Sequence, residues 1–159
     1  MRVAARAYVG LGSNLGDSGA TLRAALAEIA ALPGVSSCIA SPFYRSAPVD
    51  ASGPDFINAV AALDTTLPPL RLLDALQALE LKHGRERPYR NAPRTLDLDL
   101  LLYGDNAMDT QRLVLPHPRM HERAFVLRPL QDMAPELTLP RGSVADLLDG
   151  IAEQRIERL

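Results

Sequence analysis

Disulfide bonding is the first thing this sequence cannot do. Cys38 is the one cysteine in 159 residues, so no internal bridge can form and nothing calls for an oxidising compartment. Tryptophan is absent and aromatics reach only 4%, too few for the exposed stacking platform of an RNA-recognition sheet. Lysine is nearly missing: Lys82 stands alone, and every other basic residue is arginine. No apolar run approaches the roughly 20 residues that cross a bilayer. Residues 1–11 lack an apolar stretch of signal-peptide length. The net charge of -2 argues against a protein that coats nucleic acid. Together these absences lead to the expectation of a cytoplasmic chain with no membrane and no nucleic-acid partner.

What is present fits a globular fold. Hydrophobic residues make up 47% and charged residues 23%, a balance that closes a core without staples. No linker or repeat divides the chain, so one domain over 1–159 is expected. Residues 5–12 read as a strand. Asp17 or Ser18 then caps a helix with Leu22, Leu26 and Ile29 on one face, ended by Pro33-Gly34. Residues 35–45 form a second strand, broken or twisted at Pro42. A loop over 47–55 precedes a third strand at 56–63. Thr66 with Pro68-Pro69 starts a helix whose stripe is Leu72, Leu73, Leu76 and Leu79, closed by Gly84. After a polar loop at 85–93 comes the clearest strand, 95–103. A short hairpin follows Gly104, then the turn Pro116-His117-Pro118. Two short helices are expected at 125–133 and 144–148. The order strand, helix, strand, strand, helix, strand is the split β-α-β plan of an α+β ferredoxin-like domain, an antiparallel sheet with helices on one face. That plan hosts many activities, so function has to come from the site.

The densest chemistry lies in Arg94-Thr95-Leu96-Asp97-Leu98-Asp99. Alternation along a strand puts Leu96, Leu98, Leu100 and Leu102 on one apolar face. It puts Asp97 and Asp99 together on the other, about 6.5 Å apart. Paired carboxylates repel unless a cation lies between them, and Mg²⁺ suits such hard oxygen ligands. A solvated strand face alternates in the same way, so both readings stand here. Arg85, Arg87, Arg90 and Arg94 immediately precede the pair. Guanidinium forks grip phosphate oxygens, and cations beside metal-binding carboxylates are what phosphoryl transfer requires. The competing reading is a solvated arginine loop. His117, between two prolines, either donates to a phosphate or packs in its turn. Phe56 and Asn58 share a strand face, which suits either a flat heterocycle or a core ring with an edge amide. Gly10-Leu11-Gly12-Ser13-Asn14-Leu15-Gly16 lacks the Lys-Ser/Thr ending of a P-loop and the dinucleotide spacing. It reads as a strand-to-helix turn crowded by backbone.

These segments also resemble a known family in chain order. Tyr8-Val9-Gly10-Leu11-Gly12-Ser13-Asn14-Leu15-Gly16, Ser41-Pro42-Phe43-Tyr44-Arg45-Ser46 and Asp55-Phe56-Ile57-Asn58-Ala59 are similar to motifs of the 6-hydroxymethyl-7,8-dihydropterin pyrophosphokinases of folate biosynthesis. So are Gly84-Arg85-Glu86-Arg87, Pro93-Arg94-Thr95-Leu96-Asp97-Leu98-Asp99, Leu115-Pro116-His117-Pro118-Arg119-Met120 and Arg123-Ala124-Phe125-Val126-Leu127. The resemblance implies a ferredoxin-like α/β sandwich with helices on its faces and extra strands. It implies transfer of pyrophosphate from ATP to the hydroxymethyl group of the dihydropterin, with release of AMP. It further implies two Mg²⁺ ions on Asp97 and Asp99, and catalytic roles for Arg85, Arg94, Asp97 and Asp99. ATP contacts fall on Gln77, Glu80, Arg85, Arg87, Arg94, Arg112, His117 and Arg123. Pterin contacts fall on Ser46, Ala47, Val49, Phe56, Asn58, Asp97 and Phe125. The loops 47–54 and 84–94 are expected to close over ATP, and the expected partners are these small molecules, with the chain a monomer. Two departures from the family pattern stand out: the loop around Arg90 and Asn91 is about one residue shorter and holds no tryptophan, and Pro118 follows the motif histidine. An RNA-binding or adaptor role would leave the carboxylate pair unexplained.

Overall fold

The computed structural model describes residues 4–14, 17–47, 54–84 and 96–159. Arg85, Arg87, Arg90, Asn91 and Arg94 lie outside them, as do Val49 and most of the two loops expected to close. The helical starts and stops follow the local chemistry. Helix α1 (Ser18–Ala30) is capped by Asp17, whose carboxylate accepts from the Ala20 N–H at 3.0 Å. Its chain exits through Gly34 at φ +95, a left-handed position that favours glycine. Helix α2 (Pro69–Gly84) opens on proline, which tolerates the first turn, and ends on Gly84 itself.

A six-stranded antiparallel sheet organises the chain. Its strands are β1 (Ala5–Ser13), β2 (Val35–Ala40), β3 (Tyr44–Ser46), β4 (Phe56–Thr65), β5 (Asp97–Tyr103) and, numbered last, β10 (Ile156–Arg158). The order across the sheet is β10-β3-β4-β1-β5, and β2 also pairs with β4. The expected second strand is indeed broken at Pro42. Ser41 stitches the break to β4: its N–H donates to Val60 O at 2.8 Å, and its hydroxyl accepts from Val60 N–H at 3.0 Å. β10 has no counterpart in the sequence reading. Its three residues pair with β3 and so cover that edge.

Helices occupy both faces, not one. Leu22, Ala25 and Ile29 of α1 and Leu72, Leu73 and Leu76 of α2 pack on Ala7, Val9, Leu11, Ala59, Ala61 and Leu63. The opposite face carries a second core of Val60, Leu101, Leu102, Met120, Val126, Leu127, Leu130 and Val144. Its helices are α3 (Ala124–Met133) and α4 (Val144–Asp149), close to their expected spans. Tyr44, 2% exposed, reaches from β3 to this layer and donates its hydroxyl to Asp132 of α3. Two small hairpins complete the chain: β6 (Met108–Asp109) with β7 (Val114–Leu115), and β8 (Thr138–Leu139) with β9 (Gly142–Ser143).

The leucine face of β5 needs correction. Leu96, Leu98 and Leu100 belong to the first core, but Leu102 belongs to the second, together with Leu101. The pairing with β1 explains why. Tyr8 faces Leu102 and Val9 faces Leu100, so Leu101 is an extra residue. This bulge switches the side-chain alternation, and one strand thereby feeds both cores. The glycine-rich segment needs correction too. Gly10 and Gly12 are not in a turn but inside β1.

On the first face the C-terminal end of α2 is tied to α1. Glu28 accepts from Lys82 Nζ at 2.5 Å and pairs with His83 Nε2 at 2.6 Å. Lys82 above all, then His83, holds the Glu28 carboxyl below its ordinary value of 4.5. A lowered carboxyl stabilises the fold above its unfolded pKa, and that contribution is lost as pH falls through the folded value. Glu28→Gln is therefore expected to destabilise by about 1 kcal/mol or less near neutrality. Urea titrations of both proteins should show this difference shrinking towards zero below about pH 4; a gap independent of pH would contradict the pairing.

Candidate functional site

The site forms where β1, β4 and β5 meet the N-terminal end of α3. In the β1–β5 register Gly10 lies opposite Asp99, and Gly12 lies opposite Asp97. Residues directly opposite in an antiparallel pair point to the same face. Each half-buried carboxylate therefore stands beside a residue with no side chain, and room remains above the sheet. A Cβ on Gly12 would come within 3.2 Å of Asn58 Oδ1, and one on Gly10 would rest on Leu101 at 3.5 Å. The glycines set the width of the space.

That space is a cavity of about 420 Å³. Its walls include Gly10, Gly12, Asn14, Ser46, Ala47, Phe56, Asn58, Asp97, Asp99, Arg123 and Phe125. Asn58 is 3% exposed, and its Nδ2 donates to Ser46 Oγ at 2.7 Å. The amide is thus held in one orientation. Phe56 from β4 and Phe125 from α3 contribute two rings, and the Arg123 guanidinium stacks over Phe125, 5.6 Å from its centroid. A flat, hydrogen-bonding heterocycle matches such walls.

A second cleft of about 310 Å³ opens on the far side of Asp99. It is lined by Gln77 and Glu80 of α2, Leu98 to Leu100 of β5, and Thr110 to Val114, His117 and Pro118. Asp99 lines both spaces. Glu80 closes the outer edge of β5 by accepting from the Leu98 N–H at 2.8 Å. The His117 backbone does the same further along, donating to Leu101 O at 2.9 Å. Arg112 forms an ion pair with Asp74 and lies 3.4 Å from Gln77 Oε1. The His117 Nδ1 accepts from the Arg119 N–H at 3.1 Å. Burial pushes the His117 pKa down; Asp99 pulls it up, and Arg123 and Arg119 push it further down. The ring is then neutral near pH 7, with its proton on Nε2.

The expected residues divide between the two spaces with one departure: Arg123, expected among the ATP contacts, lines the first cavity beside Phe125 and not the second. Ser46, Ala47, Phe56, Asn58, Asp97, Asp99, Arg123 and Phe125 come together in the first cavity. Gln77, Glu80, Asp99, Arg112 and His117 come together in the second. Arg85, Arg87, Arg94 and Val49 lie outside the described residues. Sequence reasoning missed Gly10, Gly12 and Asn14 as walls, and Thr110 and Val114 as lining. The glycines could be found only by knowing that β1 and β5 are neighbours, and in which register.

Among the described residues no cluster of three or more His, Cys, Asp or Glu could enclose a metal. Two carboxylates facing one open cavity do fit Mg²⁺, which takes its remaining ligands from water and phosphate oxygens.

Known proteins resemble this chain over nearly its whole length. A family profile described as 7,8-dihydro-6-hydroxymethylpterin-pyrophosphokinase (HPPK) matches residues 8–135. The 2-amino-4-hydroxy-6-hydroxymethyldihydropteridine pyrophosphokinase of Pseudomonas aeruginosa is 51% identical over 156 residues, covering 97% of this chain and 96% of that one. The enzyme of the same name from Haemophilus influenzae is 43% identical over 155 residues, covering 96% and 97%. Among solved structures, a Plasmodium falciparum HPPK-DHPS superposes with a TM-score of 0.76 at 14% identity, a likeness of fold. This chain spans 45% of that longer chain, which covers 96% of it.

The edge contact of Glu80 is directly testable. Glu80→Ala removes the acceptor of the Leu98 N–H, and amide exchange at Leu98 should quicken by about tenfold. Glu80→Gln keeps an acceptor oxygen and should restore most of the protection. Equal exchange in all three proteins would show that Glu80 does not seal the edge.

Proposed function

The chain belongs to the 7,8-dihydro-6-hydroxymethylpterin pyrophosphokinase family, and on that premise we propose how its two clefts share the reaction. The chain is a transferase that moves pyrophosphate from ATP to the hydroxymethyl group of 6-hydroxymethyl-7,8-dihydropterin in folate biosynthesis. The dihydropterin occupies the cavity between Phe56 and Phe125. Its amide-like edge meets Asn58, whose orientation Ser46 fixes. ATP occupies the second cleft beside Gln77, Arg112 and His117, with its phosphates running towards Asp99. The observation that carries this reading is the position of Asp99 on the boundary between the two spaces. A donor phosphate and an acceptor hydroxyl, each in its own cleft, would meet there.

The balance of the transfer is simple. The hydroxymethyl oxygen forms a bond to the β-phosphorus, the bond from that phosphorus to the α,β-bridging oxygen breaks, AMP leaves and the hydroxyl proton is released. Little covalent work falls to the protein; positioning and charge neutralisation dominate. The activity is ATP-dependent with Mg²⁺; we assign two ions, held by Asp97 and Asp99, and when bound they neutralise phosphate charge and ease loss of the hydroxyl proton. His117 in its neutral form presents an Nε2–H donor to a phosphate oxygen. Arg123, fixed over Phe125, adds positive charge on the cavity side. Arg85, Arg87 and Arg94 are proposed to bring further positive charge to the phosphates. Among the described residues no helix is long and apolar enough to cross a membrane. We propose that the chain works as one domain, a cytoplasmic monomer whose partners are small molecules and not nucleic acid.

Asparagine in place of either aspartate keeps the shape and removes the charge. Asp97→Asn and Asp99→Asn are expected to keep the fold, with unfolding midpoints within about 4 °C of the parent chain. Turnover should fall by about a hundredfold or more. The check is paired: thermal unfolding, and AMP formation from ATP, Mg²⁺ and the dihydropterin. Release of ADP by the parent chain, or near-normal AMP formation by both variants, would overturn the reading.

A further inference from the structure

We infer that Gln154 is a positioning residue for the substrate cavity, holding in place the turn that carries Arg123 and Phe125. This inference rests on the function proposed above and adds a residue remote from its motifs. The N-terminal end of α3 needs an outside partner. Arg123 occupies its cap position and supplies no side-chain hydrogen bond; its carbonyl takes the Val126 and Leu127 N–H groups, which leaves the Ala124 N–H at the head of the helix to an outside acceptor. Gln154 supplies one from thirty residues downstream. Its Oε1 accepts from the Ala124 N–H at 2.9 Å, and its Nε2 donates to Glu122 O at 2.8 Å. A planar amide bonded at both ends fixes the orientation of the backbone it grips, as well as its distance.

The gripped residues are the ones that matter. Glu122 and Ala124 bracket Arg123, and Phe125 comes next. Arg123 and Phe125 both line the cavity and stack on each other at 5.6 Å. Ala124 itself is 3% exposed, so its N–H would find little water if Gln154 withdrew. The chain around Gln154 is anchored independently. Two residues on, Ile156 pairs with Ser46 in the β10–β3 ladder, and Ser46 is another wall of the cavity, hydrogen-bonded to Asn58. The C-terminal segment thus ties two walls together: α3 through Gln154, and β3 through β10. Among the described residues the second cleft has no such tie. Arg112 is held by Asp74 of α2, and His117 by the backbone of Arg119 and Leu101.

A residue that acts in this way should affect one substrate more than the other. In this chain, Gln154→Ala is expected to raise KM for the dihydropterin by about five- to tenfold and KM for ATP by no more than about twofold. The unfolding midpoint should stay within about 4 °C of the parent. Gln154→Glu keeps an oxygen for the Ala124 N–H, and it should bring the dihydropterin KM back to within about threefold. Amide exchange at Ala124 should be fast in the alanine variant and slow in the glutamate variant. An unchanged dihydropterin KM would overturn the inference. So would an equal rise in both KM values that follows a loss of stability and is not rescued by glutamate, since that is the signature of a merely structural cap. A parent chain that forms no AMP would refute the proposed function instead; direct dihydropterin binding and the Ala124 exchange would then decide on Gln154, with equal binding by parent and alanine variant counting against it.

Discussion

Two aspartates on one strand face two glycines on the next, and the working geometry of this molecule depends on that pairing. Asp97 and Asp99 project from β5 towards the second face, opposite Gly12 and Gly10 of β1. A side chain at either glycine position would enter the cavity or press on its walls. The strand is anchored from beneath by Leu96, Leu98 and Leu100, which sit in the first core. The carboxylates are therefore held by a rigid element, and the space above them is kept open by the absence of side chains. Preorganisation of this kind is what phosphoryl chemistry asks of a protein, because reorientation at the moment of reaction would forfeit the electrostatic gain.

The bulge at Leu101 is the device that lets one strand serve both sides. Before it, the leucines feed the core under α1 and α2. After it, Leu101 and Leu102 feed the core under α3 and α4. Without a second core, α3 would have nothing to pack on, and Phe125 would have no fixed place in the wall of the cavity. The outer edge of β5 is finished by the Glu80 side chain and the His117 backbone. Both contacts bring residues of the second cleft against the same strand that carries the aspartates. Sealing an exposed edge and building a binding cleft are here one arrangement.

Much of this was legible in the sequence, for local reasons. Asp17, the Pro33-Gly34 exit and the Leu72-Leu73-Leu76 stripe announce helices because caps, breakers and period are near-neighbour properties. The alternation around Asp97 and Asp99 announces a strand with a charged face. The residues that proved hard depend on contacts distant in sequence. The bulge that moves Leu102 to the other core follows from β1–β5 pairing, not from the run Leu98 to Leu102 itself. Gly10 and Gly12 read as a turn because glycines after a strand usually mark one; only the partner strand reveals why they sit inside it. β10 is three residues long, too short for a period to show. Arg112 stood among the expected ATP contacts, and its pairing with Asp74, thirty-eight residues earlier, is a contact that no local pattern announces.

The proposal that divalent ions bind on Asp97 and Asp99, where the two clefts meet, is open to a physical test. Manganese in place of magnesium tests it most directly, because a paramagnetic ion broadens nearby amide signals with a steep dependence on distance. With a non-hydrolysable ATP analogue present, the account predicts that the amides of Gly10, Gly12, Asp97 and Asp99 broaden first on a Mn²⁺ titration, and that Mg²⁺ reverses the effect. Broadening centred elsewhere, such as on the Glu28–His83 cluster of the opposite face, or no preferential broadening at all, would contradict it.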